Sequence, residues 1–82
     1  MKEKLIGKIT HYYDKIEVGI IELSAPLKVG DEIHIKGNDV DFNQVVESMQ
    51  ADHKSIEKAK KGDMVGLKME EEVKEGNEVY LV

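Results

Sequence analysis

The chain has no cysteine, no tryptophan and only one proline among its 82 residues. Without cysteine it can form no disulfide, thiol nucleophile or thiolate metal site, and this composition is typical of a reducing compartment. No apolar run approaches the roughly 18 residues that a membrane-spanning helix needs, and the N-terminus lacks the apolar core of a signal peptide. We therefore expect a cytoplasmic protein with no membrane-spanning segment.

The motifs of nucleotide-binding and catalytic sites are also absent. No G-x-x-x-x-G-K-[ST] or G-x-G-x-x-G segment is present to cradle a phosphate. His11, His34 and His53 lack the i, i+4 spacing of a helical zinc pair, and no serine lies in a nucleophile elbow. Because His34 alternates with Ile33 and Ile35, we expect it to face solvent. The sequence therefore predicts no catalytic residue, no metal site, no cofactor and no enzymatic activity.

Charge is unevenly distributed along the chain. The 12 basic and 17 acidic residues give a net charge of −5, whereas domains that bind a phosphate backbone are usually basic. Glutamates are concentrated between positions 70 and 78, and lysines between positions 54 and 61. Such runs are more often solvated faces than binding sites. The lysine cluster is nevertheless the candidate for phosphate contact, and it consists of Lys54, Lys58, Lys60 and Lys61.

Three glycine-containing pairs punctuate the sequence: Gly30-Asp31, Gly62-Asp63 and Gly76-Asn77. Each pair directly precedes an alternating apolar segment. Glycine adopts positive φ without steric cost, and Asp or Asn bonds to nearby backbone, so each pair predicts a tight turn that leads into a strand. The unequal spacing of the pairs excludes a fixed repeat. At this length the chain forms one domain, residues 1–82.

Alternating apolar residues predict six or seven short strands within an all-β fold. The predicted segments are 5–13, 16–23, 33–36, 42–49, 65–70 and 78–82. The alternation shifts by one residue between Ile20 and Ile21, which predicts a β-bulge in the second segment. The stretch 52–61 is expected to be irregular or to form a single helical turn. Closing so many strands into a barrel would remove their exposed edges.

Taken in order, these segments resemble the second domain of translational GTPases such as elongation factor Tu and initiation factor two. The resemblance extends over residues 5–82. Each motif is weak alone, but their order and spacing are specific. They are GKIT (7–10), GIIEL (19–23), LKVGDEI (27–33), VESMQ (46–50), IEKAKKGDMVGL (56–67) and EG (75–76).

The resemblance implies a closed, six-stranded Greek-key β-barrel and a non-catalytic binding module that contacts tRNA, the ribosome or another part of the translation machinery. In that family GTP binds a separate domain, so this chain alone would bind none. The family carries glutamate at the position of Gln50 and asparagine at that of Met64, and aminoacyl recognition does not carry over. The predicted contact residues for RNA or another partner are Gln50, His53 and the lysine cluster.

Two further interpretations stay open at this point. Similar barrels also occur as accessory terminal domains of collagenase-like peptidases involved in RNA modification. The chain would then be a protein–protein adaptor or an accessory subunit of such an enzyme. Tyr12, Tyr13 and Tyr80 are candidate contact residues for an adaptor, because tyrosine offers a large contact area with a polar tip.

Overall fold

The computed structural model describes residues 3–51 and 54–82. These residues form ten strands and, within the described ranges, no helix that could span a membrane. The strands are β1 (Lys4–Tyr13), β2 (Val18–Leu23), β3 (Leu27–Lys28), β4 (Glu32–Lys36), β5 (Asp41–Val45), β6 (Met49–Ala51), β7 (Lys54–Ile56), β8 (Lys58–Ala59), β9 (Met64–Lys68) and β10 (Glu78–Leu81).

Eight of the strands form one antiparallel sheet in the order β5-β4-β10-β1-β2-β9-β6-β7, and β3 pairs separately with β8. The large sheet curls into a half-barrel around the core, with β5 and β7 at its two ends. The all-β prediction is therefore confirmed. The prediction of a closed six-stranded barrel is wrong, because the strands are more numerous and the ladder of backbone hydrogen bonds does not run from β5 to β7.

The core lies inside the curled sheet and is almost entirely aliphatic. Its largest fully buried side chains are Ile6, Ile9, Ile21, Leu27, Ile33, Ile35, Val46, Met49, Val65, Leu67, Met69 and Val73. They come from six of the strands and from the connections, so curling lets one continuous cluster form. Burial of this cluster is the main favourable contribution to folding.

The side chain of Gln44 crosses the opening of the half-barrel. Its Nε2 donates a hydrogen bond to the carbonyl oxygen of Lys68 at 2.9 Å, and its Oε1 accepts one from the backbone N–H of Glu70 at 2.9 Å. Gln44 is only 5% exposed, so these bonds form away from bulk water. They connect edge strand β5 to the end of β9, which the sheet ladder does not join.

The predicted strand over 42–49 is interrupted. Strand β5 ends at Val45, which is 47% exposed, and β6 begins at Met49. Between them, Val46 exchanges backbone hydrogen bonds with the Gly30-Asp31 turn, donating to Asp31 and accepting from Gly30, both at 2.8 Å. The inward position on β5 is occupied by a polar glutamine, which hydrophobic alternation does not identify.

The bulge lies in β1 and not in β2. Ile9 pairs with Ile21 and His11 pairs with Ile20, so Thr10 is the extra residue. Strand β2 alternates regularly, and its inward residues are Gly19, Ile21 and Leu23. The predicted bulge between Ile20 and Ile21 is therefore wrong. Strand β2 has apolar side chains on both faces, which gives the appearance of a shift in the sequence.

The three glycine turns have one geometry. Gly30, Gly62 and Gly76 have φ values of 99°, 92° and 91°. In each turn the residue after the glycine donates a backbone hydrogen bond to the residue three positions earlier. Positive φ at the third position alone defines a type II turn, which explains the glycine.

The stretch 52–61 differs from the sequence prediction. Its described residues, 54–61, contain β7 and β8 instead of an irregular or helical segment.

We predict that Gln44→Ala destabilises the protein by about 1–3 kcal/mol, because it leaves a buried carbonyl and a buried N–H without partners. Urea or thermal unfolding measures the change. Asn43→Ala is the matched control, since the Asn43 side chain is exposed on the same strand and should contribute less than about 0.5 kcal/mol. Equal stability of the two variants would show that the Gln44 bridge contributes nothing.

Candidate functional site

Apolar side chains on the outer surface of β2 and β9 form a groove. We call it the outer groove, and its volume is about 420 Å³. Among the residues that the structure describes, no carboxylate or ammonium group lines it, and the His11 imidazole lies beside it in contact with Tyr13. The lining residues are Tyr13, Ile16, Val18, Ile20, Gln50, Ala51, Met64, Val65 and Gly66.

Strand pairing determines the floor of the outer groove. His11, Ile20, Gly66, Gln50 and Ser55 are successive cross-strand partners, so they form one row over β1, β2, β9, β6 and β7. Cross-strand partners share a face of the sheet. Gly66 has no side chain, and the side chains of Val18 and Ile20 lie close to its position, 3.2 Å and 3.4 Å from where a Cβ atom would be.

The walls of the outer groove expose large apolar side chains. Ile16 is 62% exposed, Met64 52% and Tyr13 49%. The Tyr13 ring also stacks on the His11 ring, with centroids 4.4 Å apart and an angle of 57° between the planes. This tilted contact holds the aromatic wall in place at the end of β1. Contiguous exposed apolar surface of this kind marks an interaction site in a soluble domain.

Opposite charges flank the outer groove along β9. Lys68 pairs with Val18 at one end, and Glu22 pairs with Met64 at the other. An apolar centre with a polar rim is the usual arrangement of a protein–protein interface. The groove thus has the chemistry for contact with protein side chains.

Sequence reasoning missed the outer groove because it treated Ile16, Val18 and Ile20 as a buried face. The structure buries the other face of β2. The sequence does contain a signal for the groove: both faces of β2 are apolar, whereas a half-buried strand needs only one apolar face. A second apolar face on an antiparallel strand indicates that something else contacts it.

The structure separates the predicted contact residues. Gln50 lies in the outer groove, whereas Lys54 lies in edge strand β7. Lys58 pairs with Lys28 across β3 and β8, and Lys60 and Lys61 occupy the second glycine turn. His53 lies outside the described residues. The lysine cluster is therefore distributed over an edge strand, a separate small sheet and a turn.

A polar cluster of His34, Glu3 and Asp41 lies on the outer face of β4, and we call it the His34 centre. The His34 Nδ1 lies 2.7 Å from Glu3 Oε2, and the Nε2 contacts Asp41 Oδ1. The His34 side chain is only 13% exposed because these carboxylates cover both ring nitrogens. His34 lies on the outer face of the sheet, as predicted, but its side chain is largely covered and not open to solvent.

The carboxylates favour the charged imidazolium. The hydrogen bond with Asp41 raises the pKa of His34 above its ordinary 6.5, although partial burial acts in the opposite direction. The same hydrogen bond lowers the pKa of Asp41 below 3.8. Both ring nitrogens can donate at once only in the protonated ring. The contacts with Glu3 and Asp41 occupy both ring nitrogens of His34, so neither nitrogen is free to act as a base.

Cross-strand neighbours surround the His34 centre with further polar groups. Tyr80 pairs directly with His34, and its hydroxyl donates a hydrogen bond to Glu78 at 3.0 Å. That bond raises the pKa of Tyr80. Lys36 Nζ lies 5.6 Å from the centroid of the Tyr80 ring. Among residues 3–51 and 54–82, no group of three or more His, Asp or Glu side chains has an arrangement that would hold a metal ion.

The comparisons with known proteins point to one kind of relative. No protein-family model matches the chain. Its sequence is 46% identical over 78 residues to an uncharacterized protease of Methanocaldococcus jannaschii. The match covers 94% of this chain and 19% of the protease, so the chain spans about a fifth of the length of that relative.

Solved structures show the same fold. The C-terminal domain of a Geobacillus thermoleovorans putative U32 peptidase superposes with a TM-score of 0.90 at 17% identity, covering 96% of this chain and 92% of that one. Its selenomethionine variant gives 0.88 at 18% identity, covering 93% and 96% of the two chains. Identities this low establish the fold alone.

These similarities overturn the predicted membership in the translation-factor family. The sequence match and the two solved structures reported above belong to proteins named as a protease or a putative peptidase. The turn-and-strand series that carried the resemblance describes a curled β-sheet framework. Glycine turns and alternating aliphatic residues specify backbone geometry, and unrelated functions can use the same geometry.

The His34 centre predicts a pH dependence of stability. A raised folded pKa means that the His34 contribution is fully present below pH 6.5 and is lost as pH rises through the folded value. The lowered pKa of Asp41 makes its contribution present above pH 3.8 and lost as pH falls through its folded value. The pair therefore stabilises most between these limits.

We expect the melting temperature of wild type to exceed that of His34→Gln most strongly near pH 5, and the difference to shrink as pH rises into the alkaline range. Thermal unfolding at constant ionic strength measures this difference. His11→Gln is the control, since the His11–Glu75 pair is exposed on both sides and should contribute little. A pH-independent difference for His34→Gln would contradict the ion-pair assignment.

Proposed function

We propose that the chain is a non-catalytic accessory domain that serves a peptidase-family protein of the U32 type through protein–protein contact. The observation that carries the proposal is the sequence match to the Methanocaldococcus jannaschii protease, which includes nearly the whole of this chain but a small part of that one. In that relative the similar segment accompanies a much longer polypeptide. The solved C-terminal domains support the same arrangement by their fold.

The non-catalytic role is supported by the chemistry of the outer groove. General acid–base catalysis needs a titratable side chain in contact with the substrate, and nucleophilic catalysis needs an activated nucleophile. Within 3–51 and 54–82 the groove lining contains no carboxylate, and the nearby His11 imidazole is stacked on Tyr13. His34, the most strongly paired titratable group, has both nitrogens occupied by carboxylates. The site is suited to binding an apolar surface.

Contact with tRNA or the ribosome has lost its main support together with the translation-factor assignment. The lysine cluster is divided among β7, β8 and the second glycine turn, and the net charge of −5 opposes binding to a polyanion. RNA is therefore the alternative that an experiment must separate from a protein partner. The cytoplasmic location stays a prediction.

Affinity capture from native lysate of the source organism, with and without RNase, tests the proposed function. We expect recovery of an identified U32-type peptidase-family protein that resists RNase treatment. The purified partner should then bind the chain at 1:1 stoichiometry in isothermal titration calorimetry, while the chain alone shows no peptidase activity. The charge-reversed variant of Lys58, Lys60 and Lys61 to glutamate serves as a control and should bind the partner as wild type does.

Two results would contradict the proposed function. The first is RNase-sensitive capture that the lysine-to-glutamate control abolishes, which would indicate RNA as the ligand. The second is the absence of any peptidase-family protein from the captured material.

A further inference from the structure

We infer that the outer groove is the contact surface of a symmetric homodimer, in which a second copy of this chain covers the apolar face over β2 and β9. A two-fold axis relates the two copies, so each contributes the same residues to the contact. The inference goes beyond the proposed function, because self-association requires no peptidase-family partner. It depends on how apolar and charged groups are distributed along this face.

The centre of the outer groove is filled by side chains of the chain itself. A Cβ atom placed on Gly66 would lie 3.2 Å from Val18 Cγ1 and 3.4 Å from Ile20 Cδ1, so these side chains leave no recess for an inserted residue. The centre therefore offers an apolar surface for packing. Another sheet face can cover such a surface, because aligned sheets pack face to face with their strands within about 30° of each other.

Opposite charges lie at the two ends of this surface. Glu22 is the cross-strand neighbour of Met64 at one end, and Lys68 is that of Val18 at the other. Among the described residues, neither Glu22 nor Lys68 takes part in an ion pair within the chain, although Lys8 lies opposite Glu22 on β1. Each end therefore carries a charge that a contacting molecule can neutralise.

A two-fold rotation matches the two ends to each other. When the axis lies in the plane of contact and crosses the strands, the Glu22 end of one copy lies over the Lys68 end of the other, and symmetry forms this contact twice. The same rotation brings Met64 of one copy to the end that carries Tyr13 and Ile16 of the other. Methionine sulfur packs favourably against aromatic rings. The face is thus complementary to itself in charge and in apolar contact.

This self-complementarity favours a second copy over other occupants. A nucleic acid would bring phosphates to a groove whose lining, within the described residues, has no cation. An unrelated protein would need a surface with matching charges at matching ends, whereas a second copy of this chain brings both charges at the required spacing.

The size of the face sets the expected strength of the dimer. Four strands of about five residues span roughly 19 Å by 17 Å. This is small for a stable interface, so we expect association with a Kd on the order of 10–100 μM. Sedimentation equilibrium over a concentration range that brackets these values measures it.

Two substitutions of matched exposure test the surface. Met64 is 52% exposed in the outer groove, and Val45 is 47% exposed on β5, outside it. We expect Met64→Asp to raise the dimer Kd by about tenfold or more, as for a central interface residue. Val45→Asp should change the Kd by less than about twofold, since it lies away from the contact. Melting temperatures of the dilute proteins distinguish lost association from lost folding.

Charge reversal tests the contact between Glu22 and Lys68 independently of Met64. Glu22→Lys alone and Lys68→Glu alone each bring like charges together at both symmetric contacts, and we expect each to raise the dimer Kd by about tenfold at low ionic strength. An equimolar mixture of the two variants restores opposite charges at both contacts. The mixture should therefore dimerise about as strongly as wild type, a rescue that no foreign occupant predicts.

Three results would overturn the inference. Wild type that stays monomeric over the whole range would exclude the dimer. Self-association that Met64→Asp and both charge reversals leave unchanged would place the contact on another surface. A mixture of the charge-reversed variants that dimerises no better than either alone would show that the two charges do not meet. All three leave the proposed function standing, and dimerisation with rescue but without capture of a peptidase-family protein would overturn the proposed function alone.

Discussion

The bidentate contact of Gln44 with the backbone at the end of β9 joins two parts of the curled sheet that strand pairing leaves unconnected. Eight strands can enclose an aliphatic core only if the sheet curls, and curling brings β5 towards β9 without completing a ladder of backbone hydrogen bonds. A single buried amide supplies one donor and one acceptor across that gap. Because the amide replaces strand pairing, the half-barrel closes on this side without a further strand.

The outer groove is a consequence of the same curvature. Strand β2 lies in the middle of the sheet with apolar side chains on both faces, and only Gly19, Ile21 and Leu23 fit inside. The other face must remain on the surface. The result is an exposed apolar area over β2 and β9.

Much of the framework is predictable from sequence, and the exceptions have physical reasons. Local signals, such as the glycine turns and the alternation in β4 and β9, identify strands because they depend on a few adjacent residues. The Gln44 bridge depends on a contact between residues 24 and 26 positions apart, which no local pattern contains. Strands β7 and β8 have two or three residues each, too few for alternation to register. The outer groove combines residues from four strands and a turn, and the sequence suggests only Gln50 and Tyr13 among them as contact residues.

The bulge at Thr10 has a consequence for comparing this chain with its relatives. Thr10 is the one residue of β1 between Ile9 and His11 without a partner on β2, and pairing resumes in the same sense on either side. In a relative without this residue, the residues equivalent to Ile9 and His11 would be adjacent and would still pair with Ile21 and Ile20. Tyr12 would still face inward, and Tyr13 would still lie beside the groove. A one-residue gap at this position of an alignment therefore leaves every side-chain direction unchanged, whereas the same gap at Ile9 or Tyr12 would remove a residue that packs against the core.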